Sequence, residues 1–326
     1  MARGVQKVGE RNRGNWTANS LVYLANVDTV LAELRGYWPL TLRQVYYRLV
    51  ASLLIDNTKQ EYKKLSQILA RARLSGFVSW DAIEDRVRST LDSSGWSDSE
   101  EFVEFELSEL LTGYRRDLLQ SQDTAIEVWV EKDALSRICH RAAFPFCVPV
   151  VVARGFSSVS YLHKCRTRVE RNRAKGKKTT ILYFGDLDPS GWEMLPSMMY
   201  TLKEEMELGT NVRGARCALN PDQVAEYDLP RSIDAMKMTD SRTPKFRRML
   251  KEAGFDDTLA VELDALPPAT LEALVTDSIE AELDMSILRE ERNKELQEQS
   301  KLKVLRADVD SDVREKTGLG EKGPVG

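Results

Sequence analysis

The chain has 326 residues, 42% of them hydrophobic and 30% charged, with a net charge of −4. That composition belongs to an ordinary globular protein, long enough for two domains and a tail. It excludes a general, undirected nucleic-acid binder, which would be basic overall.

The amino terminus, Met1 to Trp16, is basic and polar without a signal-peptide apolar region. No uninterrupted apolar run reaches spanning length, so no membrane partner is expected. Four cysteines (Cys139, Cys147, Cys165, Cys217) lack Cys-x-x-Cys pairing, and there are two histidines. That argues against a disulfide framework or structural zinc and leads us to expect a reduced, cytoplasmic protein. Charge is unevenly placed. Residues 38–88 carry nine Lys/Arg against five Asp/Glu, residues 89–123 two against nine, and residues 154–178 nine against one. Basic segments split by an acidic connector fit a protein that touches DNA on selected faces, although balanced surfaces give similar blocks by chance.

Residues 1–37 form an amino-terminal helical segment, with apolar residues over 17–35 at helical spacing. Pro39 and Thr41 then open a second helix, and Thr41 with Gln44 has the pattern of a capping box. Its apolar stripe is Leu42, Val45, Tyr46, Leu49 and Leu53, which places Tyr46 on the core face. Tyr47 is rotated by about 100° from it and lies one turn after Arg43. A third helix runs from Glu61 to Leu74, with Lys63, Lys64, Gln67, Arg71 and Arg73 available to DNA, and Ser75-Gly76 as its stop. Phe77-Val78-Ser79-Trp80 reads as a short strand. Helix, helix and wing make residues 38–95 a winged-helix domain whose Glu61–Leu74 helix would enter a major groove. Polar helix faces carrying Lys and Arg are also commonly just solvated.

An acidic connector follows at 96–123. Residues 124–285 then alternate between strands (Ala125–Val130, Cys147–Ala153, Thr179–Phe184) and helices (from Asp133, Ser157–Arg173, Gly191–Leu208). The fold class is therefore α/β, with a parallel sheet flanked by helices. Glu131 ends the first of these strands, and Gly185-Asp186-Leu187-Asp188-Pro189-Ser190-Gly191 follows the third. Carboxylates at the carboxyl edge of such a sheet lie where open α/β folds bind ligands. Glu131, Asp186 and Asp188 together would suit Mg²⁺, with Mn²⁺ as a substitute, although a lone Asp-x-Asp in a loop is commonly a turn or cap. Glu262 and Asp264, in Val261-Glu-Leu-Asp-Ala-Leu-Pro267, read as structural. Residues 286–326 read as a charged helix over 286–305, without a heptad pattern, and a disordered tail over Gly318 to Gly326.

Two motif sets carry a resemblance. Glu131-Lys132-Asp133-Ala134 and Gly185-Asp-x-Asp-Pro-x-Gly191 resemble the Toprim domain of type IIB DNA topoisomerase (topoisomerase VI) A subunits and the related meiotic double-strand-break transesterase. Arg43-Gln44-Val45-Tyr46-Tyr47 resembles the Arg-x-x-Tyr-Tyr segment of their winged-helix domain. The resemblance spans roughly residues 38–285, and the basic Lys164–Lys178 run reads as a solvated face. It implies Tyr47 as the nucleophile on the DNA backbone, with Arg43 and Glu131 assisting. It also implies Mg²⁺ on Glu131, Asp186 and Asp188, and a homodimer in which the tyrosine of one protomer works with the metal of its partner. Double-stranded DNA is the expected substrate, and a separate ATPase subunit is a candidate partner, since this chain has no Gly-rich nucleotide motif. The reading is a short, stand-alone, DNA-associated relative. Two rivals stand beside it: a Toprim nuclease using metal-activated water, and a non-catalytic winged-helix DNA-binding protein.

Overall fold

The computed structural model describes residues 16–84, 95–153, 159–232, 236 and 239–318. The chain divides into two compact units, Met1–Val87 with Asp123–Glu282, and Arg88–Gln122 with Leu283–Gly326. Among the described residues no helix is long and apolar enough to cross a membrane.

The first unit opens with three helices: α1 (Ala18–Glu33), α2 (Leu42–Ala51) and α3 (Lys59–Leu74). The capping box on α2 is formed: Thr41 Oγ1 accepts from the Gln44 amide at 3.3 Å, and Gln44 Oε1 accepts from the Thr41 amide at 2.7 Å. Helix α3 stops as its sequence indicates. Gly76 takes φ +77°, a left-handed turn that suits glycine, and the Phe77 amide bonds back to the Ala72 carbonyl. The wing strand expected at Phe77–Trp80 is not formed. Ser79 accepts from the Asp81 amide and starts a 3₁₀ turn over Trp80–Ala82, while Arg73 donates to the Trp80 and Ile83 carbonyls. Local turn chemistry wins over β-propensity here, and among the described residues no neighbouring strand takes up the ladder. A single parallel bridge, Leu40 to Ile83, is the sheet-like contact here.

A four-stranded parallel sheet follows, in the order β2-β1-β3-β4: β1 (Thr124–Val130), β2 (Val150–Val152), β3 (Lys178–Phe184) and β4 (Val212–Ala218). Central β1 and β3 pair over seven residues and are covered on both faces, hence their near-continuous apolar sequence. On one face Trp129, Ile181 and Tyr183 pack against Leu162, Cys165 and Val169 of α6 (Val159–Ala174) and Met194, Leu195 and Met198 of α7 (Pro189–Tyr200). The other side is covered by α5 (Ser136–Ala143) and α10 (Pro268–Glu280). Helix α7 passes into a π-turn over Thr201–Glu205, short of the helix end expected at Leu208. Within the core, buried Glu127 takes two bonds from Arg168, at 2.6 and 2.8 Å, and one from Trp129 Nε1. Strand β4 was not anticipated. Its register against β3 skips Cys217, and such bulges re-aim the neighbouring side chain, here Arg216. Short helices α8 (Pro221–Glu226) and α9 (Thr243–Glu252) complete the unit.

In the second unit α4 (Ser99–Glu109) lies in the stretch read as an acidic connector, and α11 (Met285–Thr317) runs well past the expected helix. Arg116 bridges Glu291 at 2.6 Å and Glu298 at 2.8 Å, and Arg314 bridges Glu104 at 2.7 Å. Gly318, at φ +71°, caps α11; the rest of the expected tail, 319–326, lies outside the described residues. So do Arg154, Gly155 and Phe156, which follow the expected Cys147–Ala153 strand in sequence.

Candidate active site

Glu131 follows β1, and Asp186 and Asp188 follow β3, so the parallel sheet delivers all three to its carboxyl edge. Each accepts from a backbone amide. Glu131 Oε2 accepts from the Asp186 amide at 2.9 Å and the Tyr183 hydroxyl at 3.3 Å. Asp188 is the N-cap of α7, accepting from the Gly191 amide at 2.6 Å. Glycine is required at 191, because a Cβ there would stand 2.5 Å from the Asp186 carbonyl and 3.0 Å from Glu131 Oε2. Asp186 Oδ1 accepts from the Leu263 amide at 2.7 Å. Burial drives the Asp186 carboxyl up to about 7, the Lys132 ammonium opposing and the Glu131 charge adding. Burial likewise raises Glu131, with the charge of Asp188 contributing. The three carboxylates are close enough to feel one another.

Four further charged residues complete the cluster. Leu187 and Val261 form an antiparallel bridge, with both amides bonded at 2.9 Å. That bridge brings Glu262 and Asp264 beside the Asp186 turn. Lys132 Nζ then lies 2.7 Å from Asp264 Oδ2, 2.9 Å from Glu262 Oε2 and 3.0 Å from Asp186 Oδ1. The Asp264 carboxylate is fully buried, and among the described residues its ion-pair partner is the Lys132 ammonium. Arg216, half-buried, donates to the carbonyls of Gly185, Asp186, Gly191 and Leu219 at 2.5–3.1 Å. Its guanidinium lies over Trp192, 4.9 Å from the ring centroid, and its own basicity is lowered by burial. Lys132 sits inside a motif already marked by its neighbours. Two carboxylates two residues apart in an apolar frame were a weak signal for Glu262 and Asp264, and nothing in the sequence marked Arg216.

Tyr47 reaches this cluster from α2. Its side chain was expected off the core stripe, yet the residue is only 5% exposed, as is Tyr46. The wheel of α2 counts only its own stripe, whereas the Leu263–Ala265 turn packs against the same helix. Tyr46 donates to Asn57 and Thr58 and stacks edge-on against Tyr62. Tyr46 and Tyr47 both line a cavity of about 280 Å³ together with Arg43, Asn57, Tyr62 and Glu262. Arg43 Nη1 bridges Glu262 Oε2 at 2.6 Å. Burial pushes the Tyr47 phenol well above its ordinary range, Glu262 adding to the rise while Arg43 and Lys132 oppose it.

The expected DNA-facing residues of α3 fall into two groups. Lys63, Lys64 and Gln67 are exposed, Lys63 on the cavity and Lys64 paired with Glu61 at 3.0 Å. Arg71 and Arg73 are half-buried, stacked on Trp16 and Trp80 respectively, and Arg73 is further committed to the Trp80 and Ile83 carbonyls.

Among the described residues no three His, Cys, Asp or Glu side chains stand at the spacing of an assembled metal centre. The chemistry of the donor set does fit a hard divalent cation. No family model, curated protein or solved structure matches this chain.

Proposed function

We propose that this chain is a DNA transesterase resembling the type IIB topoisomerase A subunit, with an amino-terminal DNA-binding domain and a Toprim-like domain. The observation that carries the reading is the cavity on which Tyr47, Arg43 and Glu262 open together, one contact from the carboxylate cluster through Lys132.

Tyr47 Oη would attack a backbone phosphorus. A phosphorus–Oη bond forms, the bond to the 3′ oxygen breaks, and the phenol proton passes to that leaving oxygen. Glu262, on the same cavity, is placed to accept the proton in passage. Arg43 would stabilise charge on the phenolate and phosphorane, which a raised phenol pKa makes necessary. Glu131, Asp186 and Asp188 would hold Mg²⁺, or Mn²⁺ in its place; when bound it supplies Lewis acidity and neutralises phosphate charge. Lys63, Lys64 and Gln67 would hold duplex DNA along α3. Cutting both strands calls for two sites, hence a homodimer, and strand passage would call for a separate ATPase subunit.

The test is covalent trapping on end-labelled supercoiled and linear DNA with Mg²⁺ or Mn²⁺, followed by detergent denaturation. Label that follows wild type and vanishes in Tyr47→Phe is the expected result. Burial of Tyr47 favours a second reading, hydrolysis by metal-activated water. Protein-free cut DNA, equal for wild type and Tyr47→Phe and lost in Asp186→Ala, would move the assignment there.

A further inference from the structure

We propose that the second unit carries a docking surface for a basic amphipathic helix of a partner protein, centred on Trp96, Phe102 and Phe105. The surface does not depend on the transesterase reading, since none of its residues belongs to the site described above.

Helix α4 is apolar on two sides. One side is committed to α11: Leu107 is buried, Arg306 donates to the Leu107 and Ser108 carbonyls at 3.3 and 2.6 Å, and Arg314 bridges Glu104 at 2.7 Å. At about 100° per residue, Phe102 and Phe105 fall well away from Leu107 around the helix. They stay 42% and 46% exposed. Trp96, 48% exposed, lies against both, its ring centroid 5.6 Å from that of Phe102 and 4.8 Å from that of Phe105. Three aromatic rings gathered into one exposed patch with a polar rim have the anatomy of a binding hot spot.

Charge identifies the occupant. Residues 96–110 hold six Asp/Glu and no Lys/Arg. On the helical wheel Glu109 falls between the two phenyl rings, with Glu101 and Glu106 to either side, and all three are exposed. An acidic rim around an aromatic centre attracts a cationic partner and repels an anionic one, which disfavours nucleic acid and acidic lipid. A second copy of this chain would bring the same acidic face. The apolar stripes of its basic helices are already buried, Leu65 and Leu69 in α3 and Leu162, Cys165 and Val169 in α6. The partner must therefore bring its own apolar stripe flanked by Lys and Arg, as an amphipathic helix does.

The experiment is fluorescence anisotropy with the full chain and a labelled peptide of about 18 Leu and Lys residues, Leu at helical spacing, long enough to hold a helix. Two controls accompany it: Glu in place of Lys, and the same Leu and Lys in shuffled order. The Leu/Lys helix is expected to bind, more weakly as salt rises, and the controls to bind at least about tenfold less tightly. Phe102→Ser with Phe105→Ser is expected to lose at least about tenfold, the scale of hot-spot aromatics, with circular dichroism unchanged. Glu106→Lys with Glu109→Lys should lose as much without touching an apolar residue. Equal binding by wild type and either double variant, or of helix and shuffled peptide, overturns the proposal, as does a helix that does not bind. Self-association in sedimentation equilibrium that disappears in the phenylalanine variant would assign the face to a second copy and overturn it too.

Discussion

Glu262 carries two cations on one oxygen, Arg43 and Lys132, and this makes it the most informative single position to change. Glu262→Gln keeps the shape but removes the charge that holds the guanidinium and ammonium together. Covalent label is expected to fall at least about tenfold, the scale of a single proton-transfer or charge-stabilising group, with DNA binding by anisotropy unchanged. Arg216 has a different kind of role. It binds four backbone carbonyls around the Asp186 turn, so removing the guanidinium leaves those acceptors without their donor. Arg216→Gln is expected to cost on the order of 1–3 kcal/mol in urea unfolding, the range for polar groups left without a partner. Gly191→Ala places a methyl group 2.5 Å from a backbone oxygen that cannot swing aside. A loss of about 1–3 kcal/mol is expected in the same assay, from overpacking.

Elements differ in how openly their residues advertise them. Strands β1 and β3 are legible because burial on both faces leaves little but apolar residues, and the start of α2 is legible because a capping box needs only four residues. Strand β4 escapes notice: Val-Arg-Gly-Ala-Arg-Cys-Ala is half-exposed along most of its length and becomes a strand through its pairing with β3. The Phe77–Trp80 segment fails in the opposite direction, β-favouring in composition but, among the described residues, without a partner strand. In the second unit several charges on α11 are paired. Glu291, only 2% exposed, accepts from Arg116, Lys294, Gln120 and Ser121, and the Arg116 guanidinium above all holds its carboxyl down to about 2. A carboxylate depressed on folding stabilises at pH above its unfolded value, near 4.3, and that support is lost as pH falls through about 2. Circular dichroism of α11 is therefore expected to show acid-induced loosening that sets in at higher pH in Arg116→Ala.

For the molecule as a whole, DNA affinity and DNA cleavage should separate. Charge reversal at Lys63 and Lys64 is expected to weaken binding and to lower the slope of log affinity against log salt by about one for each phosphate no longer neutralised. Tyr47→Phe should leave that slope alone. Much of this organisation is legible in the linear sequence: alternating strands and helices, carboxylates at strand ends, a tyrosine one turn from an arginine. These are features of chain order and short-range spacing, which a linear text preserves. The join between Tyr47 and the carboxylates could not be read that way. Lys132 meets Glu262 and Asp264 about 130 residues further along the chain only because β1 and the Leu187–Val261 bridge bring them to one place. Arg216 enters through a bulge in a strand with no pattern of its own, and Tyr47 is buried by a turn from the far end of the unit. Contacts made across such distances depend on how the layers stack, and no local periodicity records them.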